Sequence, residues 1–165
     1  LVAGEAGGEA LAMHRPDPAT HFSPAEIWLA RSDDLRHGGG HEFAFGGERS
    51  WSGGRVGAGC PPVRTERGWL EIYHGNNKLS ADEGVGAYFA GILLMDHEDP
   101  ARIVSRGERP IMRPETDFEM NGFVPNVVFP TGLIERGDTF LIYYGAADTY
   151  SGVVGFARDE LLGPL

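Results

Sequence analysis

The sequence holds a single cysteine, few basic residues and no long hydrophobic run. Cys60 alone closes no internal disulfide, so the chain bears no mark of an oxidising compartment, and a cytoplasmic location is the expectation. No apolar stretch approaches the roughly 18 residues of a membrane span, so no membrane partner is expected. Lys and Arg number 14 against 24 Asp and Glu, a formal net charge of −10. Nucleic acid calls for a basic face, which disfavours that class of partner. A cationic pocket inside an acidic shell stays open, because steering follows the local field rather than net charge. Methionine is missing at the first position: the chain opens at Leu1, in "LVAGEAGGEALAMHRP", as though in mid-fold. The native N-terminus is expected upstream, and targeting is left aside.

What is present suits one globular domain over residues 1–165, with 41% apolar and 23% charged residues. Its 25 Gly and 11 Pro match many short strands joined by turns. Short apolar runs recur throughout, among them "EIWLARS", "HEFAF", "GWLEIYH", "GAYFAGILLM", "NVVFPTGLIE" and "TFLIYYG". None sustains a helical period, and an all-β fold is predicted.

The runs also repeat. "GWLEIYHG" (68–75) aligns with "DTFLIYYG" (138–145), and "GEALAMHR" (8–15) fits the same frame with His14 opposite His74. Strands follow each copy, two of them ending alike in "LARSDDL" and "FARDELL". A period of about 60 to 70 residues is long for one propeller blade, but loops absorb the excess. Blades arranged radially bring equivalent strand ends around one axial channel. The expectation is therefore an incomplete β-propeller of about three blades, with His14, Arg15, His74 and Tyr144 converging.

Several motifs carry less than they promise. "HGGGH" (37–41) is like a lipase oxyanion segment, but no G-x-S-x-G supplies a nucleophile, so it reads as a flexible turn. Its two histidines have the spacing of a helical metal pair, which three glycines disfavour, and no metal is assigned. "GAGCPP" (57–62) fails as a dinucleotide loop where Pro62 replaces the third glycine, and Cys60 reads as a small buried thiol.

Arg15, Arg55 and His74 each stand beside a turn or strand end, in "MHRPDP", "GGRVGAG" and "IYHGNN". Apart, they are surface or structural residues. Together, two guanidiniums and an imidazole would make an anion site, since Arg presents a planar fork of donors suited to phosphate. Asp148, in "YYGAAD", is an acceptor beside two aromatics. It reads either as a holder of sugar hydroxyls or as a turn residue.

Three stretches, "GRVGAGCPPVRTERGWLEIYHG", "GFVPNVVFPTGLIERGDTFLIYYGAADT" and "MHRPDP…IWLARSDDL", resemble glycoside hydrolase family 130, the mannoside phosphorylases. The resemblance covers nearly the whole chain and corresponds to the C-terminal half of a family member. It implies a five-bladed propeller that phosphorolyses β-mannosides with inversion to α-mannose 1-phosphate, with no cofactor and inorganic phosphate as co-substrate. Carried over, Arg15, Arg55 (usually Lys in the family) and His74 bind phosphate, while Asp148 and Tyr144 bind the mannoside. The general acid Asp is expected upstream of Leu1, so no catalytic acid is named here. A β-mannoside hydrolase on the same fold and a non-catalytic sugar-binding propeller are the alternatives. Acceptor sugar, linkage and homo-oligomerisation are left open.

Overall fold

In the computed structural model, residues 5–6, 9–16, 25–47, 51–78 and 84–165 are described. Asp17 and Pro18 of "MHRPDP" lie outside them. Among the described residues, twelve strands fall into three successive antiparallel sheets. The first runs in order β1 (Glu5–Ala6), β2 (Glu9–His14), β3 (Ile27–Ser32), β4 (Gly39–Phe45). The second runs β5 (Arg55–Ala58), β7 (Gly68–Asn76), β8 (Tyr88–Met95), β9 (Ile103–Arg106), with β6 (Val63–Thr65) also pairing with β7. The third is β10 (Val128–Arg136), β11 (Thr139–Ala146), β12 (Tyr150–Ala157). Each sheet adds its strands in chain order, the connectivity of a propeller blade.

The internal repeat is the second strand of each blade: β2, β7 and β11 carry its three copies. Period-2 alternation gives each strand two faces. In β7, Leu70 and Ile72 pack with Val128, Phe140 and Ile142 of the third sheet, while Tyr73 packs with Ile27, Leu29 and Phe45 of the first. Two apolar layers thus hold the middle blade between its neighbours, which is why β7 is buried along almost its whole length.

The details differ from expectation in three places. The repeat strand does not stop at His74; it continues to Asn76, because β5 pairs with it as far as Arg55↔Asn76. Gly39, Gly40 and His41 of "HGGGH" belong to β4 rather than to a flexible turn, since β3 supplies a pairing edge at Arg31↔Gly39. Among the described residues, two short helices, α1 (Asp117–Met120) and α2 (Arg158–Leu162), interrupt the run of strands. Among the described residues no helix is long and apolar enough to cross a membrane.

Candidate functional site

Three of the sequence-selected residues meet where the first and second blades adjoin. β5 pairs with β7 so that Gly57 faces His74 and Arg55 faces Asn76, which sets Arg55 and His74 at the same end of the sheet. Arg15 follows β2 directly and reaches across, its Nη1 donating to the Val56 carbonyl at 3.2 Å. Gly57 makes this approach feasible. A Cβ there would lie 2.2 Å from Cε1 and Nε2 of His74 and 3.0 Å from Nη1 of Arg15. A glycine at this point lets an imidazole and a guanidinium share one small space.

The electrostatics follow from that geometry. Burial pushes the His74 pKa down to about 3, helped by the Arg15 and Arg55 charges and weakly opposed by the Ala58 backbone. The ring is therefore neutral at pH 7. Its Nδ1 is buried with no hydrogen-bond partner of normal geometry among the described residues. Burial also lowers the pKa of Arg15, with Arg55 adding to the shift and Tyr88 opposing it. The guanidinium still stays charged, given how far its pKa lies above neutrality. Among the described residues, no carboxylate figures among the charges acting on His74 or Arg15. The Arg15 and Arg55 guanidiniums thus make this corner locally positive.

An aromatic wall completes it. The His74 ring is tilted onto Phe129 of the third blade, centroids 4.1 Å apart, and lies 6.1 Å from Tyr88. Tyr88 and Phe129 are themselves 6.0 Å apart. Sequence reasoning treated both as ordinary strand residues. Their signal was available only as register, because each sits at the start of a strand whose pairing had to be known. Beneath the cradle, the fully buried Glu71 accepts the Gly59 N–H at 3.3 Å. Burial raises its pKa well above the usual carboxylate range, and through Gly59 it props the Gly57–Cys60 segment. Cys60 is buried as expected, its thiol pushed up to about 12 by burial and by Glu71.

The remaining expectations divide. His14 does not join His74; its Nε2 lies 3.1 Å from Nδ1 of His41 on its own sheet. Asp148 is exposed on the β11–β12 turn, at the end of the third blade's repeat strand. Tyr144 lines a pocket together with Glu119, Thr116, Arg109 and Arg113. It lies on the face of β11 that packs into the core, 7% exposed, and its hydroxyl donates to Glu119 at 2.8 Å. Alternation sends neighbouring Tyr143 to the other face, so the two tyrosines form no common wall beside Asp148. The Glu119 carboxylate is costly to bury, but the Glu115 and Thr116 N–H groups and the Tyr144 phenol outweigh that and hold its pKa low.

The profile of glycoside hydrolase family 130, described as beta-1,4-mannooligosaccharide phosphorylase, matches residues 2–164. A beta-1,2-mannobiose phosphorylase of Listeria innocua serovar 6a is 42% identical over 158 residues, 94% of this chain and 42% of that protein. A 1,2-beta-oligomannan phosphorylase of Thermoanaerobacter sp. strain X514 is 39% identical, covering 88% of this chain and 45% of the relative. The structure of the Listeria innocua beta-1,2-mannobiose phosphorylase, complexed with beta-1,2-mannobiose, superposes with a TM-score of 0.90 at 38% identity. That match spans all of this chain and 45% of the other. The chain thus spans about half the length of these relatives.

Proposed function

Since this chain belongs to glycoside hydrolase family 130 and forms three blades of its five-bladed propeller, we propose that the protein carrying it phosphorolyses β-mannosides. Inorganic phosphate, held by Arg15, Arg55 and His74, attacks the anomeric carbon. Its oxygen forms the new bond as the glycosidic oxygen departs, and inversion yields α-mannose 1-phosphate. The leaving oxygen takes its proton from an acid that the family resemblance puts upstream of Leu1. Asp148 holds hydroxyls of the mannosyl unit. The names of the relatives point to β-1,2-linked mannobiose and oligomannan as the first substrates to test.

The observation that carries this reading is the composition of the cradle: two guanidiniums and a neutral imidazole, with no carboxylate among the described residues acting on them. An inverting hydrolase needs a second carboxylate to activate water, whereas a phosphorylase needs donors for an oxyanion. His74, neutral and buried, suits a donor to phosphate better than a base for water. The test is to incubate the complete protein with β-1,2-mannobiose, with and without phosphate, and follow mannose 1-phosphate and free mannose. Phosphate-dependent formation of mannose 1-phosphate is expected. Equal turnover in phosphate-free buffer would replace the phosphorylase with a hydrolase, and mannoside binding without turnover would leave only a sugar-binding propeller.

A further inference from the structure

The cradle and the Asp148 turn belong to different blades, yet one short segment ties them together. Residues 122–127 connect α1 to β10 and bond to both sides. On one side, the Asn126 carbonyl accepts the Tyr88 N–H at 2.9 Å, and Val127 bridges to Tyr88 in parallel fashion. On the other, the Val127 carbonyl accepts the Ala147 N–H at 3.0 Å, and the Val124 N–H donates to the Ala147 carbonyl at 3.2 Å. The Phe123 N–H donates to Oγ1 of Thr149. A Cβ on Gly122 would come within 2.5 Å of the Ala147 carbonyl oxygen, so the segment lies hard against the turn. Its lower end is anchored too, because the Val127 N–H donates to the carbonyl of Glu119, the residue that Tyr144 holds through its carboxylate.

Backbone strain gathers at the same place. Four non-glycine described residues have positive φ, and three are Asn126 (61°), Ala147 (47°) and Asp148 (51°). Ala147 and Asp148 are the central pair of a β-turn closed by Thr149 N–H to the Ala146 carbonyl, inside the three-residue connection that Ala146↔Tyr150 pairing leaves between β11 and β12. Turns with positive φ at both central residues favour Asn-Gly, so Ala-Asp persists only because its surroundings impose it. The surroundings are Val124 and Val127, and Ala147 is wholly buried between them.

We infer that residues 122–127 act as a rigid strut fixing the spacing between the basic cradle and the Asp148 carboxylate, with the left-handed backbone at Asn126 as its positioning element. This rests on the phosphorolytic reading. In-line displacement needs nucleophile and sugar held in one geometry, and small misplacements cost large factors in rate. A strut shared by both subsites is a means of setting that geometry.

The experiment compares Asn126→Gly with Asn126→Val in the complete protein. Glycine adopts positive φ freely, whereas a β-branched residue resists it. Asn126→Gly is expected to keep both KM values within about twofold, while Asn126→Val raises KM for phosphate and for mannoside together and lowers kcat at least tenfold. Calorimetry adds a second readout. In the wild type, mannose should bind more tightly with phosphate present, and that enhancement should be lost in Asn126→Val. If Asn126→Val fails to fold, Asn126→Ala serves with a smaller shift in the same direction. A change in one KM only, or damage by Asn126→Gly equal to that by Asn126→Val, overturns the strut. Phosphate dependence of the unsubstituted enzyme is measured first, so failure of the phosphorylase reading shows in the wild type and failure of the strut only in the variants.

Discussion

His74 of the middle blade lies against Phe129 of the next, ring centroids 4.1 Å apart and planes 31° from parallel. That contact shuts water from one face of the imidazole, and the guanidiniums of Arg15 and Arg55 oppose a positive charge on it. With its pKa near 3 instead of 6.5, His74 stays neutral while its unfolded counterpart takes a proton. Between those values the unfolded state binds more protons, so stability falls as pH drops.

The expected outcome is a steeper loss of thermal midpoint from pH 6.5 toward 3 in the wild type than in His74→Gln. Phosphate should flatten the wild-type slope, because a bound anion favours the protonated ring. Parallel wild-type and His74→Gln curves would show that the buried imidazole is not the group responsible.

Gly57→Ala tests the cradle sterically. The new methyl would meet the His74 ring at 2.2 Å, so the imidazole must move and the Arg15 guanidinium with it. Overpacking of this kind costs about 1–3 kcal/mol of stability. Phosphate KM should rise more than tenfold with mannoside KM nearly unchanged. Steady-state kinetics with each substrate varied in turn decides it, and an unaltered phosphate KM would separate Gly57 from the anion site.

Charge at position 55 can be graded. Arg55→Ala removes a donor from a bound oxyanion, a loss of about 2.7–4 kcal/mol at the transition state. Arg55→Lys keeps the charge while giving up the planar fork, and a milder loss is expected. Asp148→Ala should instead act on mannoside use. The pattern of kcat/KM for phosphate and for mannoside across the three variants distinguishes two subsites from one.

Tyr144→Phe should read out in stability rather than in recognition. Its hydroxyl donates to a buried carboxylate, and hydrogen bonds to charged groups are worth about 1.5–3 kcal/mol. Glu119 keeps its Glu115 and Thr116 donors, so the fold should survive. Denaturant unfolding measures the loss. An unchanged midpoint combined with a raised mannoside KM would assign Tyr144 to the sugar.

Much of the architecture was legible because strand repeats are local. "GEALAMHR", "GWLEIYHG" and "DTFLIYYG" each combine a period-2 apolar pattern with a turn signal, and each became the second strand of a blade. The fate of their final polar residues was not local. His14, His74 and Tyr144 occupy matching frames, yet one ring meets His41, one enters the cradle and one clamps Glu119. What differs is the neighbour across each blade, and no single-strand pattern encodes it.

By itself, then, the sequence determined the strand content, the three-fold repeat and the residue types able to hold an anion, since alternation and side-chain chemistry are properties of short segments. Only the tertiary structure decided that Arg15 crosses to Val56, that Gly57 leaves room for the His74 imidazole and the Arg15 guanidinium, and that Tyr88 and Phe129 wall the site. It alone tied Asn126 to both Tyr88 and the Ala147 turn. These contacts join residues far apart in the chain, and their geometry follows from how three sheets pack face to face.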